Sequence, residues 1–403
     1  MPMSGSLLIE NGSVYVNSKL INKNILVEDG KFSKITSAKI QADAAIDANG
    51  LLVLPGSIDP HVHFREPGLT YKEDFKTGSH AAAAGGVTSF LDMPNTKPPT
   101  LSMKLLEEKT ALAGSKSIVN FGFHFGSSTA NLEEIRKAKG YASVKIFMDA
   151  STGNMLLEDE NLVRNIMESA RLCSIHAERR NARNAIETAS SLARKFYLCH
   201  MSTESEIGYV KANRKKNVFV EATPHHLFLT EVDQSKLVKM KPSLKNESDR
   251  RALWDALNDG TIDAIGSDHA PHTIEEKEDG DLYGVPGVET RLPLMLDAVN
   301  KRRLSLKRMV ETMCENPARI FGMKNKGFIK EGNDADLTIV DMKLAKKVRN
   351  DMLFTKCGWS PFEGFDLRGW PVRTIVGGNV VFEDGEIIEK AKGKGIEFKP
   401  LKE

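Results

Sequence analysis

Hydrophobic positions fall into two regimes along the chain. Over the first fifty residues the apolar runs are short and β-rich: Ser6–Glu10, Ser13–Val16, Asn24–Glu28 and Phe32–Thr36, separated by Asn-Gly and Asp-Gly turn dipeptides. The same texture returns near the other end in Ala335–Asp341, Val372–Val376 and Asn379–Glu383, with turns at Gly377-Gly378 and Asp384-Gly385. Chain termini often lie close together, so segments 1–53 and 330–403 are expected to combine into one small β-rich unit. Between them, in 54–329, eight continuous apolar runs recur: Val53–Asp59, Val87–Met93, Ile118–Phe125, Ser143–Met148, Leu172–Ala177, Phe196–His200, Val218–Ala222 and Thr261–Ser267. A parallel strand buried on both faces reads this way. Helical stretches such as Leu101–Ala113, Asp159–Arg171 and Ser248–Asp259 lie between them, and Ser305–Phe321 ends the series. Eight strand–helix units predict an α/β protein built on a (β/α)8 barrel.

Composition narrows the function classes. Hydrophobic residues at 40% and charged residues at 27% describe a folded globular chain. Lys and Arg (56) nearly balance Asp and Glu (54), so no overall field recruits nucleic acid or an anionic membrane. The Lys-rich stretch Lys390–Lys402 reads as a solvated terminus. Cys173, Cys199, Cys314 and Cys357 are scattered without a CxxC pair, which suits packed thiols in a reducing compartment. The opening MPMSGSLLIENG has neither a basic leader nor a long apolar run, and a cytoplasmic location is expected.

The chemistry concentrates at the ends of the predicted strands. His61 and His63 alternate after the first run, and an extended chain turns alternate side chains to one face, so both imidazoles can reach one metal ion. Taken alone, His-x-His is a weak signal. Lys145, His176, His200 and Asp268 end four further runs, and barrel active sites are assembled at that C-terminal face. Lys145 has two readings. As an ammonium it would repel metal cations and would snorkel to solvent or pair with Asp149. As a carbamate it would become a bridging carboxylate. His225 and His226 read as orienting groups, and His80 and His124 as ordinary barrel residues.

At this point the motifs resemble a known family. Asp59-Pro60-His61-Val62-His63-Phe64-Arg65-Glu66-Pro67-Gly68 and Gly266-Ser267-Asp268-His269-Ala270-Pro271-His272 are similar to the two dihydroorotase signatures. Asp92-Met93-Pro94-Asn95-Thr96, Thr223-Pro224-His225-His226 and Gly287-Val288-Glu289-Thr290 follow in the family's order. The resemblance spans almost the whole chain. It implies a distorted TIM barrel with a small flanking β-sandwich, and two zinc ions bridged by a hydroxide. It also implies reversible cyclisation of N-carbamoyl-L-aspartate to (S)-dihydroorotate in pyrimidine biosynthesis. By resemblance, His61 and His63 ligate one zinc, His176 and His200 the other, and carboxylated Lys145 bridges them. Asp268 ligates the first zinc and carries the proton. Arg65, Asn95 and His272, with His63, bind the substrate. Lys241, Gly284, Pro286 and Gly287 are further candidate contacts, and a homodimer is allowed for.

Allantoinase usually carries Asn where Arg65 stands, and hydantoinase-like enzymes lack the Arg-x-Pro-Gly run. A non-catalytic scaffold of the superfamily would have lost ligands that are all present here. Two departures stand out. Lys241 occupies a place where the family commonly has Asn. The 23 residues between His176 and His200 (positions 177 to 199) imply a trimmed helix after the fifth strand.

Overall fold

The computed structural model describes residues 5–150, 155–192 and 194–399. The continuous apolar runs become barrel strands: β1 (Ser57–Val62), β2 (Val87–Asp92), β3 (Asn120–Phe123), β4 (Val144–Phe147), β5 (Leu172–His176), β6 (Lys195–Leu198), β7 (Val218–Ala222) and β8 (Ala264–Ile265). All are parallel to their neighbours and almost wholly buried. The wall is not uniform. β3 pairs with β2, while the chain just beyond it, Phe125–Gly126, pairs with β4. Between the two pieces, His124 makes hydrogen bonds with Ser143 Oγ (2.6 Å) and Pro60 O (3.0 Å), stitching the place where the ladder changes partners.

Closure between β8 and β1 rests on side chains more than on a ladder. One parallel bridge joins Val62 to His269, with His63 N donating to His269 O at 2.7 Å. Below it, Arg291 is fully buried and its NH1 donates to Ile58 O (3.0 Å) and Ile265 O (2.6 Å), one carbonyl from each strand. Its NH2 reaches Ser57 Oγ at 2.7 Å, and its Nε faces Asp59 Oδ2 at 3.5 Å. Asp59 Oδ1 in turn accepts from Ser267 N (3.0 Å) and His61 N (3.2 Å).

The flanking sandwich draws on both ends of the chain. One sheet runs Lys31–Thr36, Asn24–Glu28, Leu7–Glu10, Ala44–Asp47. The other has seven strands in the order Glu386–Ile387, Asn379–Glu383, Asp366–Val376, Leu337–Lys347, Leu52–Pro55, Ser13–Val16, Lys19–Asn22. Ile9, Val14, Ile25, Phe32, Val53 and Ile339 are among the side chains of the core between them.

Several expectations shift. The single run Val53–Asp59 is two strands: Leu52–Pro55 joins the sandwich and β1 enters the barrel, with the break at Gly56. A Cβ at Gly56 would lie 2.2 Å from Thr88 Oγ1, so the crossing needs glycine. The helices begin where their N-caps dictate: Met103–Lys116 after Ser102, Glu160–Ser169 after Asp159, Glu247–Asp259 after Asn246. Ser305–Phe321 is helical from Leu306 but passes through a π turn at Glu311–Glu315. The 23 residues between His176 and His200 hold a 13-residue helix, Arg179–Ser191.

The Lys-rich end is not a solvated tail as far as residue 399; positions 400–403 lie outside the described residues. Gly393 N donates to Ser117 O, Ile396 N to Phe121 O, and Lys399 N to Gly322 O, so the segment lies along β3. Backbone pairing and the packing of Phe398 under Arg171 outweigh the solvation of the exposed lysines.

Replacing Arg291 with Met should lower stability by about 3–5 kcal/mol, because the Asp59 carboxylate is left buried without its cation. A denaturant midpoint indistinguishable from wild type would show that the clasp does not hold the barrel closed.

Candidate metal centre and substrate pocket

Each predicted ligand leaves its strand at the same mouth, and the backbone turns sharply to present several of them. Arg65, His200 and Asp268 all adopt left-handed backbone (φ 63°, 37° and 48°), a conformation that costs a non-glycine residue about 1–3 kcal/mol. That cost is concentrated where the side chains must converge.

His61 Nε2 and His63 Nε2 approach the same oxygen, Asp268 Oδ1, at 3.2 and 3.1 Å. Their opposite edges are held: His61 Nδ1 by Glu221 Oε1 at 2.8 Å and His63 Nδ1 by Asn95 Oδ1 at 2.7 Å. Across the mouth, His176 Nδ1 lies 2.9 Å from His200 Nε2. Ligand atoms of His61, His200 and Asp268 all fall within 4.8 Å of one another. Lys145 points inward, buried, with Nζ 3.1 Å from Cys199 Sγ, and Cys199 itself clusters with His61 and Glu221. The snorkelling alternative for Lys145 is therefore set aside. Asp149 instead accepts from Glu178 N (2.6 Å) and Asn181 Nδ2 (2.9 Å). The six residues expected at one mouth are together there.

Electrostatics separate the histidines. Burial drives the His63 pKa down to about 4 and that of His176 to about 3, and it takes His200 well below the usual range. These imidazoles are neutral at pH 7, the form that binds metal. Burial also works against a charged His61, but Glu221 and Asp268 overcome it and raise its pKa. Asp268 is held well below the carboxylate range: burial opposes this, but His61 and His63 prevail.

Glu221 is the residue that sequence reasoning missed. It sits in Val-Phe-Val-Glu-Ala, a stretch that reads as a core strand, and it is fully buried. Besides His61, its carboxylate accepts from His200 N (2.9 Å) and from Tyr197 Oη (2.7 Å). One carboxylate thus orients a histidine from each half of the cluster.

Beside the cluster, Arg65 is buried with Nε donating to Pro271 O at 3.0 Å and NH2 3.2 Å from His272 Nε2. Burial lowers its pKa only to about 10, so it stays cationic. His272 Nδ1 accepts from Lys72 Nζ at 2.9 Å, which leaves the proton on Nε2, 3.1 Å from Tyr283 O. Burial, Arg65 and Lys72 keep this ring neutral, with a pKa pushed down to about 2. Lys241 Nζ stands over the Tyr283 ring at 4.4 Å and donates to Ala150 O at 3.2 Å.

Of the candidate contacts in the following loop, two have their N–H groups engaged within the protein. Gly284 N donates to Lys239 O (2.9 Å), and Gly287 N to His269 Nδ1 (3.1 Å). Pro286 has no N–H and lines a small cavity with Trp359 and Thr355. These bonds tie the loop to its neighbours at Lys239 and His269, so the Gly284 and Gly287 N–H groups are taken.

A profile of the amidohydrolase family matches residues 52–381. The chain belongs to the amidohydrolase family. Curated relatives include the dihydroorotase of Pyrococcus abyssi, 40% identical over 96% of this chain and 98% of that protein. The dihydroorotase of Methanosarcina acetivorans is 40% identical over 96% of this chain and 94% of that protein. Among solved structures, L-hydantoinase (dihydropyrimidinase) from Arthrobacter aurescens superposes with a TM-score of 0.92 at 30% identity, covering 97% of this chain and 99% of that one. Dihydropyrimidinase from Brevibacillus agri gives 0.90 at 25%, covering 98% and 100%.

As an amidohydrolase the protein is a metal-dependent enzyme acting on a small molecule. The donor set fits a metal on its own terms. Among the described residues, His176 Nε2 and His200 Nδ1 are buried without a hydrogen-bond partner, a cost that coordination would remove. His61 follows the pattern of a ligand oriented by a carboxylate. Glu221→Gln should weaken divalent-metal affinity about 10- to 100-fold in a chelator competition while the circular dichroism stays unchanged. Equal affinity for the two proteins would rule out the orienting role.

Proposed function

We propose that the protein is a dihydroorotase, interconverting N-carbamoyl-L-aspartate and (S)-dihydroorotate in pyrimidine biosynthesis. The observation that carries this reading is the buried Arg65 guanidinium at the rim of the His61–His63–Asp268 cluster. A planar cation there can grip the substrate carboxylate that does not react, and bidentate recognition is what a guanidinium does best. Dihydroorotase relatives at 40% identity over nearly the full length support it.

In this reading His61, His63 and Asp268 would hold one zinc ion and His176 and His200 a second, with Lys145, if carboxylated on Nζ, supplying a further carboxylate ligand between them. Bound zinc supplies Lewis acidity and lowers the pKa of a water to roughly 7. Asp268, anionic and seated between two imidazoles, takes the proton of the attacking water and returns it to the leaving ring nitrogen. In the cyclising direction it receives the proton of the ureido nitrogen. His63, oriented by Asn95, and His272, kept neutral by burial and by Arg65 and Lys72, face the substrate beside Arg65. The two β-rich ends of the chain flank the catalytic barrel, with the N-terminal boundary at Gly56 rather than after residue 53. Its four cysteines are free and buried, which suits a cytoplasmic enzyme. A homodimer is compatible with this reading.

A second reading, hydantoinase, is favoured by the superposition on L-hydantoinase. Turnover on dihydroorotate, allantoin and hydantoin separates them, with dihydroorotate expected to dominate. Arg65→Met should retain its metal and raise KM for dihydroorotate roughly 10- to 100-fold, the loss of a charge-assisted hydrogen-bond pair. Unaltered KM would remove the carboxylate clamp.

The bridging role of Lys145 has its own readout. Native intact-mass measurement should find one added carbon dioxide on the wild-type chain and none on Lys145→Ala. Equal masses, after allowing for the substitution, would return Lys145 to a plain amine.

A further inference from the structure

Lys277 lies in Ile274-Glu275-Glu276-Lys277-Glu278-Asp279, a charged stretch that reads as a solvated helix, yet its side chain is fully buried. Its ammonium donates to three backbone carbonyls: Lys239 O at 2.8 Å, Leu282 O at 2.9 Å and Gly284 O at 3.0 Å. Three donors meet three acceptors, so this cation is satisfied without a carboxylate in direct contact among the described residues. Burial and the nearby charges of Lys239 and Arg65 push its pKa down to about 8, so the fold keeps the ammonium there against opposition.

The three acceptors belong to two loops. Lys239 precedes Lys241 in the connection after β7, and Leu282 and Gly284 bracket Tyr283 after the short helix. Gly284 N donates back to Lys239 O, so the two loops are tied twice. Gly284 also presses on Ala270: with φ 134° and a Cβ that would lie 2.4 Å from Ala270 O, no other residue fits. Tyr283, held on both sides, is the residue whose carbonyl meets His272 Nε2 and whose ring carries Lys241.

We propose that Lys277 is a positioning residue for substrate recognition: by pinning the 282–284 turn to Lys239, it sets where His272 and Lys241 stand at the mouth of the pocket. The proposal rests on the dihydroorotase reading for the identity of the substrate, but not for the pinning itself. Lys277→Met removes the ammonium at similar length, and Lys277→Gln keeps two donors without the charge.

For Lys277→Met, metal content and kcat should stay close to wild type while KM for dihydroorotate rises about tenfold or more, the size of lost charge-assisted hydrogen bonds. Lys277→Gln should fall between the two. Amide exchange at Gly284 should accelerate in both variants while the barrel strands keep their protection. Wild-type KM together with a still-protected Gly284 overturns the proposal. So does a joint loss of metal, kcat and barrel protection, or failure of both variants to fold, either of which makes Lys277 a general staple. A wild-type protein inactive on dihydroorotate sinks the substrate assignment alone, and Gly284 exchange then decides the pinning by itself.

Discussion

Whether strands β1 and β8 can stand side by side depends on a buried carboxylate, Asp59. The two strands share little ladder, and β8 contributes only Ala264–Ile265. Arg291 spans the seam through one carbonyl of each strand, and Asp59 both faces that guanidinium and accepts the amides of Ser267 and His61. The closure is therefore built into the backbone that carries the chemistry. Asp268 follows Ser267 directly, and His61 and His63 follow Asp59 within four positions. If the seam opened, two histidines and their carboxylate would separate.

Around that seam the protein arranges polarity in two tiers. An inner tier of imidazole edges and the Asp268 carboxylate converges on a common volume. An outer tier of Glu221 and Asn95 fixes which edge points inward. Left-handed backbone at Arg65, His200 and Asp268 is the conformational cost of bringing strand ends to one point. The surrounding barrel, buried on every strand, over-determines the structure enough to hold it.

Much of this was legible because it is local. A histidine two residues from another on a strand and an apolar run with a polar end residue each announce themselves within a few positions. His61, His63 and Asp268 belong to such patterns, and so do the strands that carry Lys145, His176 and His200. What escaped is set by distant neighbours. Glu221 looks like any carboxylate at a strand end until Tyr197 and His61 surround it. Lys277 looks solvated because four acidic residues flank it; only the two loops folding over it bury the amine. The Gly56 break was hidden inside a run that is apolar throughout, since the sandwich and the barrel both want apolar strands. The docked tail is concealed for the converse reason: lysine-rich composition says nothing about where backbone pairing is available.

The seven-stranded sheet places Leu52–Pro55 against Leu337–Lys347, partners nearly three hundred residues apart. During synthesis the three N-terminal strands of that sheet wait, their edge unpaired, while the entire barrel is translated. Pairing at such sequence separation is slow, because a long loop must close before any contact rewards it. An unpaired edge is also a template for another chain. The interval between making Pro55 and making Leu337 is thus the period in which this polypeptide is most exposed to self-association. A nascent chain arrested before the second β-rich segment should depend on holdase chaperones far more than the finished protein does.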